Sequence, residues 1–262
     1  MVIRRIREHV ADHNWFAVAV DVGIVVVGVF LGTQVSNWNQ DRQDRQQGHD
    51  YRLRLIDDLD ANAEDMRDRR AYYSAVRDHA RSALAALTTS GKSTDARFLI
   101  DAYEASQITP RRTKRFTYDE ILARGALQWV GDAKLREQIS NYYIGVDTGG
   151  VTFNSIPPYR EHIREIMRAA AQDAVRRDCP EDVYFTNSGA GQARLAKNCT
   201  TLRLDPAIAA AAAATLRAEP GLQKDLTRLI ADHEVKIGLV DAMTGHRARV
   251  RALILAAADK GD

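Results

Sequence analysis

One uncharged apolar run near the N-terminus constrains this chain more than any other feature. Residues 16–35 read FAVAVDVGIVVVGVFLGTQV, and Asp21 is the only ionisable side chain among them. As an α-helix this run spans about 30 Å, the thickness of the hydrocarbon core of a bilayer. Trp15 and Trp38 bracket it, where amphipathic rings meet lipid headgroups. The run predicts a transmembrane anchor over residues 15–38, and the alternative is a helix buried in a soluble core.

The segment before the run predicts an uncleaved signal anchor rather than a cleaved signal peptide. Residues 1–14 are basic, but the apolar part is too long for a signal peptide and no small-residue cleavage site follows promptly. Arginines on the two sides of the run nearly balance, so their number does not decide the orientation. Because a short N-terminal tail commonly stays inside, we expect residues 1–14 in the cytoplasm and residues 39–262 outside it.

The two cysteines of the chain support that orientation. The stretch between Cys179 and Cys199 contains Pro, Gly and Asn but little helical periodicity. It predicts a loop over residues 178–204 closed by a disulfide, which would stabilise the fold by about 3 kcal/mol in an oxidising compartment. The alternative is two unrelated thiols. Zinc and thioredoxin-type chemistry have no support, because CxxC spacing and nearby histidine clusters are absent from the sequence.

The rest of the sequence predicts an all-α bundle. Apolar or small residues recur with alternating 4/3 spacing from Leu55 to Leu87, which indicates one face of a helix over residues 39–88. Asn62 and Arg69 interrupt this stripe, which favours a bundle helix over a dimeric coiled coil. A second long helix is expected from Pro220 to about residue 259, as an antiparallel neighbour of the first.

Local signals predict the ends of the shorter helices. Thr117 and Glu120 form a capping box, and Gly125 is placed for a C-terminal stop. Further helices are expected from Asp132 to about Val146, from Pro157 to about Arg177, and from Ala207 to Leu216 after Asp205-Pro206.

Residues 21–40, DVGIVVVGVFLGTQVSNWNQ, combine an acidic residue, a Val/Ile-rich helix with a central Gly, then Gln and Asn-Trp-Asn. This pattern resembles the anchor of a family of uncharacterised bacterial single-span inner-membrane proteins with a domain of unknown function. Residues 51–62 and 117–143 look similar to the same family, though less specifically. The resemblance implies a helical extracytoplasmic domain, and it implies no activity. The matching positions are Asp21, Gly28, Gln34, Asn37, Trp38 and Asn39, and the sequence departs from the pattern at Gly23, Gly32, Thr33 and Gln40.

Three residues in the anchor are candidates for helix association within the membrane. An ionisable residue such as Asp21 inside a span is costly and is therefore a candidate functional residue. Gly28 lies seven residues further, on nearly the same face, and with Gly32 it forms a GxxxG motif that lets another backbone approach closely. The alternative is that Asp21 reaches the headgroup layer and has only an interfacial role.

Charge outside the anchor indicates no nucleic-acid partner. The net charge is +2, and the one basic cluster (Arg111, Arg112, Lys114, Arg115) lacks interleaved aromatic residues. A solvated loop is the favoured interpretation of this cluster, and contact with anionic headgroups or an acidic partner is the alternative. The acidic run at residues 57–65 is interleaved with arginines, which favours a charged helix surface over a cation site. The seven histidines show no metal-ligand spacing, so we expect no metal or other cofactor.

These features predict a non-enzymatic protein that acts through protein contacts, as a scaffold or accessory subunit of a bacterial envelope complex. Its partners would be the lipid bilayer and other membrane proteins or a second copy of the chain. The alternative is an extracytoplasmic bundle that binds a small molecule or lipid and signals through a partner's helix, and a third possibility is an enzyme with an unrecognised site. A pocket lined by convergent polar groups would favour the bundle, and an exposed apolar face would favour the scaffold.

Overall fold

The computed structural model describes residues 15–89, 91, 93–186 and 191–258. Its described part is almost entirely helical, as predicted, with one small two-stranded sheet. The expected cytoplasmic tail, residues 1–14, lies outside the described residues. The elements in chain order are α1 (Trp15–Thr88), α2 (Asp95–Glu104), α3 (Phe116–Ala123), α4 (Leu127–Val130), α5 (Ala133–Phe153), α6 (Pro158–Ile166), α7 (Ala169–Asp178), β1 (Asp182–Phe185), β2 (Gly191–Arg194), α8 (Pro206–Arg217) and α9 (Leu222–Ala258).

Helix α1 joins the apolar run to the folded domain without a break. Its 74 residues make a rod about 110 Å long at 1.5 Å per residue. The large apolar side chains of its first part are exposed, including Ile24 and Phe30, and so is Trp38. From Gly48 onward the helix contributes buried residues to the domain, and the predicted stripe is confirmed at Leu55, Leu59, Met66, Tyr73, Val76, Ala80 and Ala83. By length and composition α1 is therefore one candidate membrane span.

Helices α1 and α9 are antiparallel neighbours, as the sequence predicted. Ion pairs along their shared edge connect Asp60 with Arg251, Arg70 with Asp241, and Arg81 with Glu234. Residue numbers rise along α1 as they fall along α9, which establishes the antiparallel direction. The residues of α9 expected to point inward are all buried, namely Leu222, Leu226, Leu229, Val240, Met243, Val250 and Ile254.

The domain has two hydrophobic clusters that follow one another along α1. The first surrounds residues 51–76 of α1 and includes α3, α5 and the C-terminal half of α9. The second surrounds residues 80–83 and includes α2, α6, α7, α8 and the N-terminal part of α9. Several charged side chains are buried on residues 58–69 of α1 and on α2.

Some helix ends differ from the prediction. Helix α5 continues past Val146 to Phe153, because Gly149 packs against Met243 of α9 and the lack of a side chain there permits this contact. The predicted capping box does not form: Asp58 accepts the hydrogen bond from the amide of Thr117, and Glu120 forms an ion pair with Arg54. The single helix predicted from Pro157 is two helices, α6 and α7, since residues 167 and 168 are extended.

The segment over residues 178–204 contains a hairpin in addition to loops. Strands β1 and β2 pair antiparallel, with Asp182 opposite Arg194. Cys179, at the end of α7, lies 5.5 Å from Cys199 between Cα atoms and is bonded to it. The predicted pairing of the two cysteines is confirmed at this distance. The bond closes the base of the segment that carries the hairpin.

Candidate functional site

Four polar residues on one face of α1 define the candidate site. Asp58, Asn62, Asp65 and Arg69, here called the polar row, are spaced by four, three and four residues, so they lie on the same side of the helix. All four are buried, and they face the segment that joins α2 to α3. Residues 110–115 of that segment, here called the basic connector, have no regular secondary structure and cross α1 at the polar row. A charged, solvent-exposed helix surface was expected for the acidic run and its arginines. At Asp58, Asp65 and Arg69 the structure has a buried contact instead.

Asn62 holds the basic connector through its main chain. Its Nδ2 donates to the carbonyl of Lys114 at 2.8 Å, and its Oδ1 accepts from the amide of Lys114 at 2.8 Å. The side-chain amide thus pairs with the connector as a neighbouring strand would. Nδ2 also donates to the hydroxyl of Tyr142 at 3.3 Å, and burial raises the pKa of this tyrosine to about 12.

Asp58 fixes the exit of the basic connector. One carboxylate oxygen accepts from the amide of Thr117 at 3.0 Å, in the first turn of α3, and the other lies 3.1 Å from Nζ of Lys114. A carboxylate at this place satisfies a free amide at a helix start and complements its partial positive charge. The hydrogen bond from Thr117 to Asp58 therefore fixes the start of α3 against α1.

Asp65, Arg69 and Arg111 form the most buried charged group of the site. Nε of Arg69 donates to Asp65 at 2.6 Å, and Nη2 of Arg69 donates to the carbonyl of Arg111 at 3.1 Å. Asp65 also accepts from Gln192 of β2 at 3.2 Å and lies 3.6 Å from Nη1 of Arg111. Only 7% of the Arg111 side chain is exposed, and burial lowers the pKa of its guanidinium. The solvated-loop interpretation therefore does not describe Arg111.

Two cavities flank the basic connector. The larger, about 380 Å³, lies between the connector and α5 and is lined by Arg69, Arg111, Arg112, Thr113, Arg115, Phe116, Asp119, Val146, Asp147, Gly150, Phe153 and Asn154. The smaller, about 240 Å³, lies towards β2 and shares Arg111, Arg112, Thr113 and Phe116 with the first. Arg111 thus lines both cavities. Together the two cavities and the connector form what we call the arginine cleft.

Arg115 differs from Arg111 because its guanidinium is hydrogen-bonded to carboxylates, whereas that of Arg111 has only an ion-pair contact with Asp65 at 3.6 Å among the described residues. Its guanidinium donates to Asp119 at 2.8 Å and to Asp147, so it joins α3 to α5 at the rim of the larger cavity. Hydrogen bonding to Asp147 raises its pKa. The four predicted basic residues therefore differ in their surroundings. The side chain of Arg111 is buried beside Asp65, and Arg112 is exposed. Lys114 pairs with Asp58, and Arg115 pairs with Asp147.

A second buried polar group lies at the end of α2. Glu104 is buried, and neither of its carboxylate oxygens has a hydrogen-bond partner among the described residues. Burial, together with the nearby charge of Glu181, raises the pKa of Glu104 to about 7. Tyr72 of α1 donates to Glu181 at 2.7 Å, and burial raises the pKa of the tyrosine. Glu104 therefore binds a proton more strongly than an ordinary glutamate does.

The histidines take separate structural positions in the described part of the chain. His79 lies 2.7 Å from Asp101, and His162 lies 2.6 Å from Asp225. His233 is buried with Nδ1 2.9 Å from the carbonyl of Leu229, and burial lowers its pKa to about 4. No group of three metal-ligating side chains occurs among the described residues.

The candidate residues of the apolar segment meet nothing else in the described chain. A Cβ added at Gly28 or Gly32 would have no neighbour within 4 Å, and Trp15 and Trp38 are exposed. Asp21 lies on the same bare stretch of α1. The structure therefore leaves the predicted association face uncovered within a single chain.

These features define a helical domain carried on one long helix, with a cleft of buried arginines in its middle. Comparison of the chain with protein families, with curated proteins and with solved structures finds no match. The resemblance of the anchor to the uncharacterised single-span proteins stays a prediction.

The buried members of the site were missed by sequence reasoning, although a signal was present. Asn62 and Arg69 were recognised as interruptions of the apolar stripe of α1. Because they occupy positions of the same 4/3 repeat, their polar side chains lie on the buried face of the helix. A buried polar group needs a partner, and a basic segment was already visible at residues 111–115. Their contact across about 50 residues of chain depends on tertiary structure.

Proposed function

We propose that this chain is a single-span bacterial inner-membrane protein whose helical domain lies in the periplasm and acts through protein contacts, without enzymatic activity. The observation that carries this proposal is the continuity of α1. One helix exposes a bilayer-length apolar segment at one end and contributes the core of the domain at the other. Such a continuous helix holds the contact surface of a scaffold or accessory subunit at a fixed distance from its anchor.

Two further observations support the proposed setting. The cysteine pair at disulfide distance fits an oxidising compartment, where such bonds persist. The large apolar side chains of residues 20–35 are exposed, which is unfavourable in water and favourable in lipid. Labelling of single cysteines in intact cells, with a reagent that does not cross the inner membrane, tests the orientation. We expect labelling of a probe on the domain and protection of a probe in residues 1–14, and the reverse pattern would contradict the proposal.

Association with another transmembrane helix would use the face of Asp21, Gly28 and Gly32. The test is the mass of the full chain in mild detergent, measured by light scattering after chromatography, with mass spectrometry of the proteins that accompany it. Asp21→Asn and Gly28→Leu should reduce the size of the complex. Gly23→Leu is the matched control, because Gly23 is equally bare but lies on the opposite side of the helix from Gly32. Recovery of the wild-type chain as a lone monomer would contradict the proposal.

The second candidate function is a bundle that binds a small molecule and passes the signal to a partner. The arginine cleft favours it specifically, because charged side chains from α1, the basic connector and α5 converge on one cavity of about 380 Å³. Cavities of this size with a few convergent polar groups are typical of small-molecule sites. Ligand binding to the full chain distinguishes this candidate from a scaffold that uses only its surface.

A further inference from the structure

The guanidinium of Arg111 is buried without the hydrogen bonds that such a group requires. Its three nitrogens have no hydrogen-bond partner among the described residues, and the same is true of Nη1 of Arg69. Only 7% of the Arg111 side chain and 1% of the Arg69 side chain are exposed. Nη1 of Arg111 lies 3.6 Å from Asp65, an ion-pair contact that is too long for a hydrogen bond. Buried polar groups in folded proteins are almost always hydrogen-bonded, so four nitrogens without an acceptor in the described part of the chain, on two neighbouring arginines, indicate a missing acceptor.

The carboxylates around the cleft are already engaged. Asp65, which faces the cleft from α1, is bound by Arg69 at 2.6 Å and by Gln192 at 3.2 Å. Asp119 and Asp147, which face it from α3 and α5, are both bound by Arg115. The larger cavity is therefore lined by four arginines and two aspartates, and the buried guanidinium of Arg111 makes no hydrogen bond to a described residue although Asp65 lies 3.6 Å from its Nη1.

We infer that the arginine cleft binds a small phosphorylated molecule, with its phosphate at Arg111 and Arg69. A phosphate offers several oxygens to converging N–H donors, and arginine is the side chain best suited to bind it in this way. Val146, Phe116 and Phe153 line the same cavity and supply an apolar wall for the organic part of the molecule. This inference rests on the second candidate function and names its ligand class.

The height of the cleft above the proposed membrane excludes a phosphate that belongs to a lipid in the bilayer. Arg69 follows Trp38 by 31 residues of continuous helix, which is about 46 Å along the axis of α1. Even a strongly tilted helix keeps the cleft well beyond the headgroup layer. The ligand is therefore a water-soluble compound.

Entry requires movement of the basic connector. The four free nitrogens have almost no solvent-accessible surface, so a phosphate reaches them when the connector swings outward. The connector has no regular secondary structure, and its main chain is held to α1 mainly through Asn62 and Arg69.

The test is calorimetric titration of the full chain, in uncharged detergent at constant ionic strength, with phenyl phosphate, benzoate and phenol. Phenyl phosphate should bind with one site per chain, and phenol should not bind. Arg111→Gln should weaken binding by about tenfold or more, because it removes the charge and the fork of donors. Asp65→Asn should strengthen binding, since it removes the carboxylate that competes with the phosphate.

The control is Arg124→Gln, which removes a positive charge from an exposed position at the end of α3 and should change the affinity less than about threefold. Circular dichroism checks that each variant is folded. If Arg111→Gln does not fold, the opposite effect expected of Asp65→Asn still decides the question. No heat of binding for phenyl phosphate on the wild-type chain would overturn the inference, as would equal loss in Arg111→Gln and Arg124→Gln. Binding of benzoate without phenyl phosphate would overturn the phosphate assignment while leaving the second candidate function intact.

Discussion

The side-chain amide of Asn62 makes the same pair of hydrogen bonds that the main chain of a neighbouring strand would make. Its amide pairs with both the N–H and the carbonyl of Lys114, so a connector without secondary structure gains the two hydrogen bonds of a strand pair. Asn62 has no exposed surface, and its contact with the connector is therefore made away from competing water. Asn62 thus holds the connector beside Arg69, which donates to the carbonyl of Arg111, and Asp58, which accepts from the amide of Thr117.

Asn62→Leu should destabilise the protein by about 2–4 kcal/mol, because it leaves both polar groups of the Lys114 main chain without their partner. The measurement is the free energy of unfolding from a denaturant titration of the full chain in detergent. Asn141→Leu on the exposed side of α5 is the matched control and should change that free energy by less than about 0.5 kcal/mol. Equal effects of the two substitutions would contradict the assigned role of Asn62.

Glu104 predicts a pH dependence of stability with a defined sign. Its pKa in the folded state is about 7, above the ordinary value of 4.5, so its contribution to stability is complete below pH 4.5 and is lost as the pH rises through 7. Glu104→Gln resembles the protonated acid and does not titrate. It should match the wild type at pH 4 and be more stable at pH 8 by up to about 3 kcal/mol. Unfolding titrations at pH 4, 6 and 8 measure this difference.

Glu161→Gln on the exposed face of α6 is the control for Glu104→Gln. It should have the same small effect at all three pH values. A gain at pH 8 that appears equally in both variants would show that the burial of Glu104 is not its cause.

At the scale of elements, α1 and α4 approach each other more closely than any side chain would permit. A Cβ added at Gly48 would lie 2.1 Å from the carbonyl oxygen of Trp129, and Arg52 donates to the carbonyl of Val130 one residue later. The sequence predicted a helix over residues 39–88 that includes Gly48, but nothing in this segment of sequence marks a contact with residue 129. Gly48 is one of the first buried residues of α1 after the bare apolar part.

Gly48→Ala should therefore displace α4 and lower the free energy of unfolding by about 1–3 kcal/mol. Gly145→Ala in α5 is the matched control, because its added Cβ would meet nothing within 4 Å. This control should stabilise the protein by about 0.5–1 kcal/mol, since alanine is the better helix former. Differential scanning calorimetry of both variants measures the two opposite shifts.

The helices that the sequence predicted are those whose signals are local. The stripe of α1, the inward face of α9 and the starts at Asp132 and Asp205 were all found, because periodicity and caps depend on nearby residues. The end of α5 was placed too early, since Gly149 and Gly150 are poor helix formers and the contact of Gly149 with Met243 of α9 cannot be seen in the local sequence. The pairing of β1 with β2 was missed for a different reason, because strands of four residues carry only a weak sequence pattern.

At the scale of the molecule, the cysteine pair closes a segment that would otherwise be weakly held. Among the described residues, strands β1 and β2 pair with each other only, and such a two-stranded sheet has little stability alone. Gln192 of β2 contacts Asp65 of the arginine cleft. Closing the chain between Cys179 and Cys199, over a separation of 20 residues, limits the freedom of the unfolded state.

Reduction of this bond should lower the free energy of unfolding by about 3 kcal/mol. Thermal unfolding of the full chain with and without a reducing agent measures the effect. The double variant Cys179→Ser/Cys199→Ser is the control, because the reducing agent should not change its thermal unfolding. A reductant effect of equal size in the double variant would assign the loss to something other than the cysteine pair.

The unbroken helix α1 also sets the rotational orientation of the domain about the helix axis relative to the apolar segment. Each residue added to a helix turns everything beyond it by about 100° and advances it by 1.5 Å. Between residues 39 and 47, where α1 is mostly exposed, one inserted alanine would leave both ends intact but swing the arginine cleft around the axis relative to Gly28. Seven inserted residues would restore nearly the original rotation of the cleft about the axis and would place it about 10 Å farther from Gly28. The number of residues in this bare stretch thus decides which way the domain faces.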